Sequence, residues 1–311
     1  MRGLSIPDSR SGSFDSELVL STAKGARDRG QFSMLNAAHQ PNRRQSVPVA
    51  KQIGAIRTGA APPVIIPNGP GSRRYTMNTI DKLHMIHRFW RYRLRTERNS
   101  LSYLLRLPLA GQVVIDVGAN LGIYSYWMSK AAGPDGRVIA FEPQPELARH
   151  LEEMRSAFEL RNVEIVNKAL SSSVGSRMLF RPEPGGGGAS FRRPHASWEQ
   201  IEVEVTTLDD YYLDPTPVRF IKCDAEGHEY EVLRGSRRIL TRDKPTLLLE
   251  IHDAEAAAGD IPKFLDELGY QGFFFHRGQR IDFARFAEVP HRKPWESHRN
   301  YVFVPRGLGP R

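Results

Sequence analysis

Acidic side chains are crowded at one point of the sequence, in the segment Lys222-Cys-Asp-Ala-Glu-Gly-His-Glu229. Asp224, Glu226 and Glu229 stand there with His228, directly after an apolar run that is typical of a buried strand. Like charges held close together raise each other's pKa and are seldom kept for stability alone. The cluster therefore predicts a functional site, and capping of the following helix by Asp224 or Glu226 is the structural alternative.

Candidate bases for moving a proton lie in and beside this cluster. Glu250-Ile-His252 ends the next predicted strand, so His252 should reach the same edge of the sheet as Asp224 and His228. Imidazole suits proton transfer because its ordinary pKa lies close to neutrality. We therefore take Asp224, His228 and His252 as the candidate catalytic residues. Their oxygen-rich surroundings would also suit Mg²⁺, an alternative that the sequence leaves open but does not favour, and no metal ligand is assigned.

A loop with two glycines, Asp116-Val-Gly-Ala-Asn-Leu-Gly122, follows a β-branched run and opens a helical segment. This is the place where doubly wound sheets bind nucleotide-like ligands. The spacing differs from that of dinucleotide and phosphate loops, which favours a ligand without pyrophosphate, such as S-adenosylmethionine (SAM). We expect Gly118 and Gly122 to let the backbone approach the ligand. Asp116 suits an ammonium or hydroxyl partner, and Asn120 is a further cofactor-binding candidate.

Two later turns add candidates for holding a nucleoside. Glu142 follows the second predicted strand, where an acidic residue accepts the paired hydroxyls of an unphosphorylated ribose. Asn167, Lys168 and Ala169 follow the third predicted strand, where the chain passes the base, although a strand cap and turn would explain them equally well. Asp224 directly follows a further predicted strand at the same edge of the sheet and is also a cofactor-binding candidate.

The composition is that of a globular protein with a basic N-terminal region. The 311 residues are 40% hydrophobic and 25% charged, and the formal net charge is +9. Residues 1–98 hold 17 Lys and Arg against 6 Asp and Glu, whereas residues 99–311 hold 27 against 29. This distribution does not favour nucleic acid as a partner of the folded part. A single cysteine, no apolar signal-peptide core and no long apolar stretch predict a cytoplasmic protein without a transmembrane segment.

Three regions are predicted along the chain. Residues 1–73, rich in Ser, Gly, Pro and Arg, are expected to form a disordered basic extension. Residues 74–110 are expected to be a helical segment that packs against the following domain, with peripheral membrane contact through residues 80–98, or RNA binding, as the alternative. Its apolar stripe at helical spacing consists of Ile80, Leu83, Ile86, Trp90 and Leu94. Residues 111–305 are the predicted catalytic domain.

Short apolar runs alternate with helical segments in this last region, which predicts a doubly wound α/β fold. We expect a mostly parallel, seven-stranded sheet whose last strand is antiparallel. The loop 181–199, with four consecutive glycines, is expected to be mobile and to act as a lid or binding segment. The predicted strands are Val113–Val117, Arg137–Phe141, Val163–Val166, Arg177–Phe180, Ile201–Val205, Arg219–Cys223, Thr246–Ile251, Gln271–Phe275 and Tyr301–Val304. The predicted helices are Ile123–Lys130, Pro145–Phe158, Glu229–Leu240 and Pro262–Leu268.

Four motifs follow one another along this region: Val114-Ile-Asp-Val-Gly-Ala-Asn-Leu-Gly122, Phe141-Glu-Pro143, Asn167-Lys-Ala-Leu170 and Ile221-Lys-Cys-Asp-Ala-Glu-Gly-His-Glu-Tyr-Glu-Val-Leu-Arg-Gly235. In this order they resemble the motifs of the FkbM-type methyltransferases. The resemblance covers about residues 113–235 and implies a class I Rossmann-like fold, SAM as the methyl donor, and a hydroxyl group of a sugar or small metabolite as the acceptor. Cys223 and His228 stand where aliphatic or small residues are commoner in the family.

Other classes of protein remain as alternatives at this point. An RNA methyltransferase would use the basic N-terminal region to bind phosphates. A Rossmann-like protein without catalytic activity would keep the fold but would not need Glu142 or the acidic cluster from Asp224 to Glu229. A NAD-dependent oxidoreductase is disfavoured because the dinucleotide glycine pattern is missing. The oligomeric state is not predicted.

Overall fold

The computed structural model describes residues 77–192, 195–291 and 297–307, all within the compact unit Asn68–Arg311. The predicted disordered extension, residues 1–73, lies outside the described residues. The helices are α1 (Thr79–Arg91), α2 (Arg98–Leu104), α3 (Ile123–Ala132), α4 (Pro145–Ala157), α5 (Leu208–Tyr211), α6 (Glu229–Arg234), α7 (Arg237–Asp243), α8 (Asp253–Ala258) and α9 (Asp260–Glu267). Tyr92–Thr96 is a π-helical turn and Phe283–Glu288 a 3-10 helix. The strands are β1 (Val113–Val117), β2 (Arg137–Phe141), β3 (Val163–Val166), β4 (Ala169–Leu170), β5 (Gly175–Arg181), β6 (Glu199–Thr206), β7 (Val218–Cys223), β8 (Thr246–His252), β9 (Tyr270–His276), β10 (Gln279–Asp282) and β11 (His298–Pro305).

The main sheet of the described residues has eight strands in the order β10-β9-β11-β8-β7-β1-β2-β3. Strands β8, β7, β1, β2 and β3 run parallel, whereas β11, β9 and β10 pair antiparallel. The predicted α/β class and the antiparallel last strand, β11, are confirmed. The sequence predicted seven strands and missed β10, because Gln279–Asp282 is short and largely exposed and so carries no apolar alternation.

The sheet is buried on both faces, as its parallel half requires. All five residues of β1 are buried, and alternate side chains enter different cores. Ile115 and Val117 pack in one core with residues of α6 to α9, while Val114 packs in the other with residues of α1 to α4. This central position makes β1 a rigid support for the loop that follows it.

A second sheet lies outside the main one. It has the order β4-β6-β5, with β5 and β6 antiparallel from Gly175 opposite Val205 to Arg181 opposite Glu199. The predicted strands Arg177–Phe180 and Ile201–Val205 are therefore real, but they form this separate sheet and hold the glycine-rich loop between them. Gly185 to Gly188 lie in that loop.

The helix predicted over Glu229–Leu240 is in fact two helices, α6 and α7, separated at Gly235 and Ser236. A Cβ atom on Gly235 would lie 1.9 Å from the carbonyl oxygen of Ser171, so only glycine allows the backbones to pass there. Helix α7 then begins anew, because the Asp209 carboxylate accepts hydrogen bonds from the backbone N–H groups of Arg238 and Ile239. A close backbone contact of this kind leaves no periodic signal in the sequence.

The N-terminal helix α1 packs against the domain, but with a different face from the one predicted. Met85 and Phe89 are its buried residues, and the Phe89 ring stacks on Tyr126 with 3.9 Å between ring centroids. The predicted stripe of Ile80, Leu83, Ile86, Trp90 and Leu94 is exposed instead. No helix within the described ranges is long and apolar enough to cross a membrane.

Candidate functional site

A cleft opens at the carboxyl ends of β1, β2, β3 and β7, with a volume of about 610 Å³ when the space open to solvent is included. This is the edge at which open α/β sheets bind ligands. The part of the cleft beside β1 and β7 is polar and contains Asn120 and Asp224. An apolar wall of the cleft is formed by Phe141, Leu170, Leu179, Ala189 and Phe191. A polar end joined to an apolar wall suits a nucleoside, whose ribose is polar and whose base has apolar faces.

Gly118 brings the loop after β1 against the loop after β7. Its φ is +73°, and a Cβ atom there would lie 2.0 Å from the carbonyl oxygen of Asp224. The N–H groups of Gly118 and Ala119 both donate to the carbonyl oxygen of Phe141, at 3.0 Å. The glycine thus fixes the contact between three neighbouring strand ends, and only a residue without a side chain fits.

Glu142 is held rigidly at the end of β2 and is only 3% exposed. One carboxylate oxygen accepts from the N–H of Asn120 at 2.9 Å, and the other accepts from the N–H of Gln144 at 3.0 Å. Burial raises the pKa of Glu142 to about 7, although these two hydrogen bonds oppose the shift. Each oxygen keeps a further lone pair, so the carboxylate can still accept hydrogen bonds from two hydroxyl groups of a ligand.

The structure brings together six of the predicted cofactor-binding residues along the cleft. These are Gly118, Asn120, Glu142, Lys168, Ala169 and Asp224. The sequence placed them on four separate turns, and the parallel sheet aligns the ends of those turns.

The other three predicted cofactor-binding residues do not line the cleft. Asp116 is fully buried, and its Oδ2 accepts from the hydroxyl of Ser125 at 2.6 Å. A Cβ atom on Gly122 would lie 2.6 Å from the Met154 side chain, so this glycine serves the packing of α3 against α4. Asn167 donates from Nδ2 to the carbonyl oxygens of Glu142 and Pro143, at 2.9 and 3.0 Å. It therefore braces the turn that presents Glu142, as the strand-cap alternative expected.

The glycine-rich loop between β5 and β6 lies over the cleft, which Gly187, Gly188 and Ala189 line. Arg181, at the start of this loop, is 3% exposed and pairs with Glu146 of α4 at 2.7 Å and with Glu199 at 3.0 Å. At the far end of the loop, the Ser190 hydroxyl donates to the carbonyl oxygen of Glu226 at 2.8 Å. The loop is thereby anchored both to α4 and to the turn after β7.

Beside the cleft, four acidic residues surround one buried ammonium group. We call Lys222 with Asp224, Glu250, Asp116 and Glu97 the Lys222 cluster. Lys222 Nζ lies 3.1 Å from Asp224 Oδ2. Burial opposes the charge of Lys222, but the carboxylates of Asp224, Asp116 and Glu250 outweigh that effect and raise the pKa of its ammonium group.

Two residues of the Lys222 cluster have partners that no motif in the sequence connects to them. Glu97 Oε2 accepts from the Tyr124 hydroxyl at 3.1 Å and from Asn300 Nδ2 at 2.8 Å. Glu250 Oε1 lies 3.1 Å from His298 Nε2. Burial raises the pKa of Glu97. Burial and the nearby charge of Asp224 raise the pKa of Glu250 to about 8.

The two predicted catalytic histidines lie in different surroundings. His252 Nε2 lies 3.9 Å from Glu226 Oε2, which is an ion-pair distance, and this nearby carboxylate raises the pKa of His252. His228 is buried against the Phe191 ring, and its Nε2 lies 3.0 Å from the Ser171 hydroxyl. Burial lowers the pKa of His228 to about 4. His252 therefore lies beside Glu226, which lines the cleft, whereas the side chain of His228 packs against Ser171 and Phe191.

Glu229, counted with the crowded carboxylates in the sequence, has its own local partner. Its Oε1 accepts a hydrogen bond from the N–H of Ala225 at 2.6 Å, which braces the turn that follows Asp224. Within the three described ranges, no group of three or more His, Cys, Asp or Glu side chains is placed to share one metal ion.

The fold and the cleft define the class of protein. The last strand, β11, lies antiparallel between β8 and β9, and the cleft opens beside the loop after β1, as in class I Rossmann-like methyltransferases. Residues 116–271 match the methyltransferase FkbM domain, and the chain belongs to this family. It is a SAM-dependent methyltransferase, so the resemblance found in the four sequence motifs is confirmed.

Relatives and solved structures that are similar to this chain include several methyltransferases. The hexuronic acid methyltransferase AglP of Haloferax volcanii is 30% identical over 224 residues, which cover 70% of this chain and 84% of the relative. Methyltransferase sdnD of Sordaria araneosa is 30% identical over 157 residues, covering 39% of this chain and 59% of the relative. The crystal structure of an FkbM methyltransferase from Methylobacillus flagellatus KT is similar with a TM-score of 0.43 and 17% identity, over 64% of this chain and 45% of that chain.

Proposed function

We propose that this enzyme transfers the methyl group of SAM to a hydroxyl oxygen of a sugar or a similar polyhydroxylated small molecule. The observation that carries the proposal is the Lys222 cluster, which sets hydrogen-bonding carboxylates beside the cleft. A polyhydroxylated acceptor offers several O–H donors, and the carboxylates of Asp224 and Glu250 are suited to receive them. The name of the hexuronic acid methyltransferase from Haloferax volcanii supports a sugar as the acceptor class.

The cofactor would be held by the residues along the cleft. Glu142 is assigned to the ribose hydroxyls, because it is buried, lines the cleft and has free lone pairs. Lys168 and Ala169 are assigned to the neighbourhood of the adenine, next to the apolar wall. Asn120 and Gly118 are assigned to the methionine end, beside Asp224. When bound there, SAM supplies a methyl group on a sulfonium, which is already a good leaving group.

The protein's main task is then to align the acceptor and to remove its proton. Asp224 lines the cleft and is assigned to orient the acceptor hydroxyl. Glu250 is assigned as the general base, since its pKa near 8 lets its ionised form take a proton at mildly alkaline pH. His252, on the rim beside Glu226, is assigned to acceptor binding. We assign no proton transfer to His228, because its Nε2 atom is hydrogen-bonded to the Ser171 hydroxyl and its ring packs against Phe191.

Mg²⁺ is not part of the proposal. The ammonium group of Lys222 already supplies positive charge to the carboxylates that could otherwise attract a cation. A divalent ion would have to approach that ammonium group, and like charges repel.

The test is to incubate the protein with methyl-labelled SAM and separate panels of hexuronic acids, neutral sugars, small alcohols without a sugar ring, and RNA. Each reaction is run with and without EDTA. We expect label in a sugar panel, located on oxygen by mass spectrometry, with the same rate in EDTA. Transfer to RNA or to simple alcohols in preference to sugars would overturn the acceptor class. Loss of transfer in EDTA would overturn the metal-free assignment.

A further inference from the structure

An apolar stripe on α1 faces solvent in the described part of the chain. Its residues recur at helical spacing, so they lie along one side of the helix and the π-helical turn that continues it. We call this surface the α1 stripe. Its side chains and their exposed fractions are Ile80 64%, Leu83 60%, Ile86 40%, Trp90 46% and Leu94 59%. Large exposed apolar side chains scattered singly are ordinary, but five on one helical face mark an interaction surface.

The stripe is held in place by the opposite side of the helix. Phe89 is 1% exposed and stacks on Tyr126, while the indole N–H of Trp127 donates to the Phe89 carbonyl oxygen at 3.3 Å. The Trp90 ring packs edge-on against Trp127, with 5.4 Å between centroids. Packing of α1 therefore fixes the direction in which the stripe points.

Basic side chains border the stripe on both sides. By helical projection, Lys82 and Arg93 lie along one border, and Arg91 and Arg95 along the other. Arg91 and Arg95 are exposed. Residues 80–98 contain six Lys and Arg against two acidic residues. Both acids are engaged elsewhere: Asp81 caps the helix with Asn78, and Glu97 binds Tyr124 and Asn300.

We propose that the α1 stripe docks into the surface of an anionic lipid membrane. A helix with aliphatic and tryptophan side chains on one face and basic side chains beside them lies flat in the interface, with its apolar face among the acyl chains. The basic borders would then meet lipid phosphates, which carry the complementary charge.

Charge argues against the other occupants of the stripe. Residues 1–76 hold eleven Lys and Arg against four Asp and Glu, so that segment would meet basic borders of its own sign. A second copy of the chain would likewise place one pair of basic borders against another. The phosphates of RNA would pair with the basic side chains of the borders. However, the bases of single-stranded RNA stack on aromatic side chains, and four of the five stripe residues are aliphatic.

Docking there would bring the reaction site close to the lipid surface. Leu94, at the end of the stripe, is only three residues from Glu97 of the Lys222 cluster, and three residues of chain span at most about 11 Å.

The test uses the full chain and vesicles of phosphatidylcholine, alone or mixed with phosphatidylserine, in a flotation assay. We expect binding to the mixed vesicles, little binding to phosphatidylcholine alone, and weaker binding as salt is raised. The double variant Ile80→Gln/Leu83→Gln should bind at least about tenfold more weakly, since burying one aliphatic side chain is worth more than a factor of ten. The variant Arg91→Gln/Arg95→Gln should lose the preference for phosphatidylserine.

The matched control is Val174→Gln/Leu213→Gln, which alters two apolar side chains of similar exposure, 65% and 75%, on another part of the surface. It should bind vesicles like the wild type, and all variants should unfold at the wild-type temperature. Equal binding by the stripe variant and the control would overturn the proposal, as would no binding of the wild type. A further contrary outcome is that Ile80→Gln/Leu83→Gln keeps vesicle binding while it abolishes a dimer seen by light scattering, or the binding of single-stranded RNA. Either result would also overturn the proposal.

Discussion

At the scale of single residues, the environment of Glu250 sets the pH range in which a base would work. Burial and the charge of Asp224 raise its pKa to about 8, because both disfavour the ionised carboxylate. Below that pH the group already carries a proton, and a neutral carboxylic acid is too weak a base to take another from an acceptor hydroxyl. Above it the carboxylate forms. Turnover should therefore rise with pH through about 8 and then level off.

Replacing Glu250 by glutamine should remove that rise, since an amide cannot accept the proton. We expect turnover of Glu250→Gln to fall about 100-fold or more, with SAM affinity by calorimetry unchanged. The control is Glu152→Gln, an acidic residue on α4 whose side chain is 47% exposed. If Glu250→Gln kept the wild-type pH profile, the proton would have to go elsewhere, and Asp224 would be the next residue to change.

The sequence indicated part of this site and could not indicate the rest. Crowding of carboxylates after a buried strand is visible in a short stretch, and Asp224 does line the cleft. Which of those side chains turn inward is decided by local packing, and Glu229 and His228 turn to Ala225 and Ser171 instead. Glu97 meets its partner Asn300 across 203 positions of sequence, and no motif joins residues that far apart.

At the scale of elements, the site depends on how closely β1 and β7 approach each other. Gly118 takes a φ of +73° and leaves no room for a Cβ beside the Asp224 carbonyl oxygen. Gly111 takes a φ of +72°, but a Cβ there would meet nothing within 4 Å. Alanine at either position would be held at nearly the same positive φ and would suffer a similar backbone strain. The difference is that only the side chain at position 118 would also clash with the neighbouring loop.

Alanine at the two positions separates backbone strain from that contact. Gly111→Ala should lower the free energy of unfolding by about 1 kcal/mol, the cost of a left-handed residue with a side chain. Gly118→Ala should cost about 2 kcal/mol more, since the loops must move apart, and it should also lose SAM affinity. Urea unfolding and calorimetry measure both quantities. Equal losses of stability in the two variants would show that the loops do not need this contact.

Elements with a strong apolar period were the ones that the sequence predicted well. The predicted bounds of β1, β2 and β3 agree with those observed, because each is a short apolar run between turn residues. The buried face of α1 was predicted wrongly. That helix has two apolar sides, and the aromatic contact of Phe89 with Tyr126 determines which of them is buried. Such a contact joins residues from separate elements and has no local signature.

At the scale of the whole molecule, ligand binding and folding are linked through the cleft. Its walls come from the ends of β1, β2, β3 and β7 and from the glycine-rich loop, so a nucleoside bound in the proposed site would hold all of them in the folded arrangement. A ligand at about 100 times its dissociation constant stabilises the folded state by about 2.7 kcal/mol. In a domain of this size that corresponds to roughly 5–10 °C in melting temperature.

S-adenosylhomocysteine should therefore raise the melting temperature, and NAD at the same concentration should not. In the proposed site, ribose hydroxyls would donate to the ionised form of Glu142, whose pKa is about 7, so the stabilisation should grow as pH rises from 6 to 8. Glu142→Gln should reduce the affinity by about 10- to 100-fold, as expected for hydrogen bonds to a charged group, and should flatten this pH dependence. The shift caused by the ligand is the quantity to compare, because glutamine also changes the hydrogen bonds to Asn120 and Gln144 in the free protein. Glu152→Gln should behave as the wild type, whereas a full shift in Glu142→Gln at every pH would place the ribose away from the end of β2.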